Sequence, residues 1–147
     1  MSTTGQCRCG RVKFAFDGPV LLTAACHCRG CQRMTGGAFS LSSGTPLSQF
    51  RLTEGETVLG GLHGETKHYF CDFCKSWLYT TLEAVGDFVN VRTTMLDDVP
   101  QAPPFVETYT AEALPWATIG ATHSYEALPA MDEYGGLMKE FAAAHGD

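Results

Sequence analysis

The chain has no run of lysines or arginines, no apolar stretch approaching the ~20 residues of a membrane span, and no cysteine outside three tight groups. Each absence removes a class of function. Without basic clusters, and with a formal net charge of -6, the surface repels phosphate backbones and anionic lipid, which argues against nucleic-acid and membrane partners. The opening MSTTGQCRCG carries no basic segment followed by an apolar core; we therefore expect no secretory leader and a soluble, cytoplasmic protein. In a reducing compartment, closely spaced cysteines favour metal over disulfides, and an odd count leaves any all-disulfide scheme one short. There are no internal repeats or low-complexity segments.

What is present points to short strands. A length of 147 residues fits one domain, 1–147, large enough to bury its own core. Sixteen Gly and seven Pro imply many turns, which favours strands over long helices. Gln6 and Arg11 to Phe16 read as a hairpin, with Cys7 and Cys9 on its first arm and Gly10 in the turn. Val20 to Ala25 reads as a strand running into Cys26, His27 to Met34 as a turn or one helical turn ended by Gly36-Gly37, and Ala38 to Leu41 as the next strand. Thr45 to Phe50 is expected as a loop with a short strand. Thr57 to Leu62 and Lys67 to Phe70 form a second hairpin across His63-Gly64, and Trp77 to Leu82 and Phe88 to Arg92 continue the meander. Phe105 to Thr110 is the expected last strand. Ala130 to His145 is the one sizeable helix candidate, with Leu137, Met138 and Phe141 on its apolar face. The expected class is all-β, with a minor helix at the C-terminus.

The seven cysteines divide as four plus three. Cys7, Cys9, Cys71 and Cys74 form a C-x-C and a C-x-x-C, which together supply the four thiolates of a closed structural zinc site. Cys26, Cys28 and Cys31 supply three thiolates, the pattern of a catalytic zinc that keeps one position open. We therefore expect two Zn2+ per chain, although soft thiolates also take iron or Cu(I). Arg29 and Arg33 flank the open cluster and can offset its negative charge. His27, between two of the ligands, is a candidate fourth ligand or proton shuttle, and Asp97 and Asp98 are candidate shuttles or turn residues before Val99-Pro100. His63, His68, His123 and His145 show no ligand spacing and are expected on the surface or in loops.

These motifs resemble a known family. The string G-x-C-x-C-G-x-V-x-F, Gly5 to Phe14, is similar to the opening motif of the glutathione-dependent formaldehyde-activating enzymes. So are C-H-C-x-x-C-Q-x-x-T-G-x-x-F-S, Cys26 to Ser40, and F-C-x-x-C, Phe70 to Cys74. Leu96-Asp97-Asp98 and Leu114-Pro115-Trp116 resemble later landmarks, so the match runs from residue 5 to about 119, with a C-terminal extension of about 120–147. The resemblance implies a β-tent-type zinc fold of short antiparallel strands. It implies a structural zinc at Cys7, Cys9, Cys71 and Cys74, and a catalytic zinc at Cys26, Cys28 and Cys31. The implied activity is that of a carbon–sulfur lyase or synthase joining a small thiol, glutathione or similar, to an aldehyde such as formaldehyde. The chain departs from the family pattern at Lys75, where Gly is common, and at Glu107, where His is common. Ala111-Glu112-Ala113 stands where basic residues often follow; with few cations there, an anionic thiol such as glutathione is less well held.

Two rival readings remain at this level. The chain could be a non-catalytic interaction module with two structural zincs, since centromere protein V is similar to the same family; a fourth protein ligand at the second cluster would favour it. It could be a redox enzyme related to methionine-R-sulfoxide reductases, but those need a reactive cysteine outside the metal clusters, and none is present.

Overall fold

The computed structural model describes residues 2–62 and 64–145. In chain order the elements are β1 (Thr3–Gln6), β2 (Lys13–Phe16), β3 (Leu22–Cys26), α1 (Arg29–Thr35), β4 (Ser40–Thr45), β5 (Phe50–Glu54), β6 (Thr57–Gly60), β7 (Thr66–Cys71), β8 (Trp77–Leu82), β9 (Val89–Arg92), β10 (Val106–Thr108), β11 (His123–Ser124) and α2 (Tyr134–His145). Strands dominate, and a helix closes the chain. The turn expected across His63-Gly64 falls partly outside the described residues.

The backbone divides into two compact units, Met1–Val20 with Gly44–Pro100, and Leu21–Ser43 with Gln101–Asp147. In the first, β1, β2 and β5 form an antiparallel sheet, and β6, β7, β8 and β9 form an antiparallel meander. Their inward side chains build one core from Val12, Phe14, Phe16, Leu78, Tyr79, Val89, Val91 and Leu96, and Cys7 and Cys71 are buried in the same cluster. In β2 only Lys13 is exposed; Phe14 and Phe16 enter this core, and Ala15 between them is buried as well.

In the second unit β11, β10 and β3 lie side by side, with β4 next to β3. Here two pairings are parallel, β10 with β3 and β10 with β11, which departs from the all-antiparallel arrangement expected. Parallel neighbours require long connections, and almost eighty residues of chain separate β3 from β10. Helix α2 buries Leu137 and Phe141, and Phe141 meets Phe105 edge-on at 5.5 Å. Met138 is only partly buried.

Several expectations shift in detail. Cys7 and Cys9 lie in the turn after β1 and not on the strand itself. The single helical turn after Cys26 is a seven-residue helix, α1, closed by Gly36 at φ 65°, the left-handed cap that glycine adopts without steric cost. The short strand expected within Thr45 to Phe50 is a 3-10 turn, Leu47–Gln49, and the strand begins only at Phe50, where β5 is anchored as the third strand of its sheet. The last strand is β11, a two-residue strand beyond β10. His68 lies within β7, bonded through Nδ1 to Thr80, and His123 begins β11 and packs against Phe105, so both are half-buried strand residues and not loop residues; His145, at the end of α2, also meets Phe105 but is exposed, as expected.

Candidate metal centres

The four-cysteine cluster forms where a β-bulge between Tyr69 and Phe70 turns the end of β7 into a knuckle. Cys71 Sγ accepts a hydrogen bond from the Cys74 backbone N–H at 3.4 Å. Lys75 then occupies the left-handed region at φ 61°, a conformation that costs a side-chain-bearing residue about 1–2 kcal/mol. That is the physical reason a glycine suits this place. The facing turn bends back so that the Val12 N–H donates to Cys7 Sγ at 3.4 Å.

All four sulfurs lie within 4.8 Å of one another. Cys7 Sγ is 3.6 Å from Cys9 Sγ, and Cys9 Sγ is 3.8 Å from Cys71 Sγ. Tetrahedral zinc with bonds of about 2.3 Å separates its sulfurs by about 3.8 Å. The residues therefore fit a closed four-thiolate ion. Arg8 donates its N–H to Ser76 Oγ at 3.2 Å, and the Arg11 guanidinium sits 3.5 Å over the Phe73 ring, so the two half-sites are joined outside the sulfurs as well.

The three-cysteine cluster is built by the end of β3 and the start of α1. Cys28 is the N-cap of α1, its Sγ accepting from the Cys31 N–H at 3.3 Å. Cys26, Cys28 and Cys31 bring their sulfurs within 4.8 Å of one another, and no His, Asp or Glu among the described residues joins them. This fits an ion with three protein thiolates and one position left for another ligand.

Ionisation differs among the three. A hydrogen bond from the Cys31 thiol brings Cys26 down to about 5 in spite of its burial, with help from the Cys28 N–H and Thr108. Giving that bond, together with burial, pushes Cys31 far up. Burial raises Cys28. At the closed cluster, burial is outweighed at Cys74 by the Ser76 hydroxyl and neighbouring N–H groups, leaving it at about 5.

An unfolded thiol titrates near about 8.5, so ionised Cys26 and Cys74 favour the native state of the metal-free protein. That contribution is complete above the unfolded value and is lost as pH falls through about 5. Ultraviolet thiolate absorbance of the metal-free chain should persist at pH 7 and fall through about pH 5. Cys26→Ser should remove one part of that step and Cys74→Ser another. Absorbance that disappears already near pH 8 would overturn the assignment.

His27 is fully buried, and its ring nitrogens do not join the three sulfurs. Its Nε2 is 2.8 Å from Glu107 Oε1, and its Nδ1 meets no hydrogen-bond partner among the described residues. Arg29 and Arg33 are exposed beside the cluster. The Arg29 guanidinium reaches Gln32 Oε1, and the Arg29 N–H donates to Glu112 Oε1 at 2.8 Å. Asp97 belongs to the other unit and accepts from the Thr4 hydroxyl at 2.6 Å.

The departures from the family pattern at Glu107 and Glu112 mark these positions in the sequence, but their contacts with His27 and the Arg29 N–H are not legible there. Each lies about eighty positions from its partner, and only the parallel register, Glu107 opposite Ala25 and Thr108 opposite Cys26, brings them alongside.

A strand-built fold with one four-sulfur and one three-sulfur cluster defines a β protein able to hold metal in both. The chain belongs to the glutathione-dependent formaldehyde-activating enzyme family, whose pattern matches residues 2–112. No curated protein matches the chain. A crystal structure of a Rhodobacter sphaeroides protein is similar at a TM-score of 0.56 and 22% identity, covering 67% of this chain and 91% of that one. That likeness speaks for the fold. No helix among the described residues is long and apolar enough to cross a membrane.

Proposed function

We propose that the protein is a zinc-dependent carbon–sulfur lyase or synthase that joins a small thiol to an aldehyde such as formaldehyde, or runs the reverse. One observation carries this reading: three sulfurs converge at Cys26, Cys28 and Cys31 with no fourth protein donor among the described residues. An interaction module with two structural zincs needs that fourth donor.

Cys26, Cys28 and Cys31 would hold a zinc ion, which would supply a position that lowers the pKa of a bound thiol. In the net reaction a sulfur–carbon bond forms, the carbonyl π bond opens, and the thiol proton ends on the former carbonyl oxygen; nothing is oxidised or reduced. Arg29 and Arg33 offset the charge of the thiolates. Glu112, held at the Arg29 N–H, adds a carboxylate beside the cluster, which favours neutral or cationic thiols over glutathione. His27, fully buried with Nε2 taken by Glu107, is better suited to holding the loop than to carrying protons to solvent.

Carbon-13 formaldehyde mixed with glutathione, cysteine or other small thiols tests this by NMR exchange on the zinc-loaded chain. Faster adduct exchange than in protein-free solution is expected with at least one thiol. No acceleration with any thiol, at two zincs per chain, would overturn the reading.

A further inference from the structure

We infer that Glu107, acting through His27, is a positioning residue that sets the metal affinity of the three-cysteine cluster. His27 is flanked in sequence by two of the sulfur-bearing residues, and every polar handle of its backbone is anchored. Its N–H donates to Thr108 O at 3.0 Å, and its carbonyl accepts from Gln32 Nε2 at 2.8 Å. Its ring is fully buried, stands edge-on to Phe39 with centroids 5.4 Å apart, and meets Glu107 Oε1 through Nε2 at 2.8 Å. Glu107 is itself held, since its second oxygen accepts from Ser124 Oγ at 2.6 Å. A line of hydrogen bonds thus runs from β11 through β10 to the residue between Cys26 and Cys28.

The physical consequence is pre-organisation. A three-sulfur loop that must be ordered by the ion loses affinity to that ordering; a loop already fixed does not. The Glu107 bond at Nε2 fixes the orientation of the His27 ring. Hydrogen bonds made directly to metal ligands change metal affinity by about 10–100-fold, and this one orders the residue between two of them.

The sequence does not announce this role. Glu107 and His27 lie 80 positions apart, and the parallel β10–β3 register is what brings them together. The inference rests on metal binding at the three-cysteine cluster and not on thiol–aldehyde chemistry, so a chain that binds zinc there but fails the exchange assay leaves it standing.

The test is zinc affinity by competition with a chromophoric chelator, together with the sulfur-to-metal charge-transfer spectrum after cobalt(II) loading. Zinc in the four-cysteine cluster serves as the internal control for folding. Glu107→Ala and His27→Ala should weaken the second zinc by about 10–100-fold and shift the cobalt spectrum. Glu107→Gln and His27→Gln each preserve a donor–acceptor pair at the same place and should stay within about 3-fold of the parent.

Parental affinity and spectrum in Glu107→Ala would overturn the inference. So would a Glu107→Gln variant as weak as Glu107→Ala, since charge and not positioning would then set the affinity. Should Glu107→Ala fail to fold, Ser124→Ala reads the same line of bonds: about 3-fold weaker second-site binding is expected, and no change would overturn it.

Discussion

Cys74→Ser should lose the zinc of the four-cysteine cluster and melt about 8–16 °C lower than the parent. The magnitude follows from what the ion ties together. Cys9 and Cys71 are separated by 62 positions, and cross-linking a loop of that size removes about 4 kcal/mol of unfolded-state entropy in the chain model. For a chain of this size each kcal/mol moves the melting temperature by about 2–4 °C.

A second effect adds to the first. Cys7 and Cys71 are buried within the hydrophobic core of their unit, so an uncoordinated cluster leaves ionisable groups among apolar side chains. Serine can still bond to Ser76, as Cys74 Sγ does at 3.2 Å, so a loss on this scale reports the metal and not a local contact. Chelation of the parent should produce a similar fall. Calorimetry with zinc analysis checks both, and an unchanged melting temperature in a variant holding one zinc fewer would overturn the structural role of this cluster.

Cys28→Ser should have the opposite profile, with little change in stability and loss of the proposed thiol–aldehyde chemistry. Cys28 caps α1, and serine is among the best N-cap residues, so the helix keeps its start. What the variant loses is one of three sulfurs. Metal content should fall from two zincs per chain to one, with the four-cysteine cluster still filled.

The acceleration of thiol–aldehyde exchange should fall by at least about 30-fold, because a free thiol of pKa near 8.5 is only about 3 per cent ionised at pH 7. Lost proximity of the two reactants adds to that figure. A variant that keeps full activity with one zinc would move the reaction away from this cluster.

Much of this molecule can be read along the chain. The meander of β6 to β9 follows from short apolar runs separated by turn residues such as Gly86-Asp87, and the C-terminal helix from the spacing of Leu137 and Phe141. The division of the cysteines is legible because metal ligands work at short spacing: C-x-C, C-x-x-C and C-x-C-x-x-C each place sulfurs within one turn of backbone, and that proximity is a local property. The family follows from the same strings. Two local details were misplaced for a local reason. Cys7 and Cys9 lie in a turn because the N–H···S bond from Val12 to Cys7 bends the backbone there, and α1 runs to two turns because the Cys28 sulfur caps it.

The arrangement around the three-cysteine cluster is another matter. That β10 pairs with β3 in parallel, that Glu107 thereby reaches His27, and that Glu112 takes the Arg29 N–H all depend on residues about eighty positions apart. So does the assignment of His27: its sequence position allows a ligand or a shuttle, and burial with a carboxylate partner makes it an anchor. Sequence by itself determined the strand-rich class, the two cysteine sets and the family, because those are written in near-neighbour spacing. Tertiary structure alone decided what Glu107 and Glu112 contact, because the pairing of β10 with β3 joins residues about eighty positions apart.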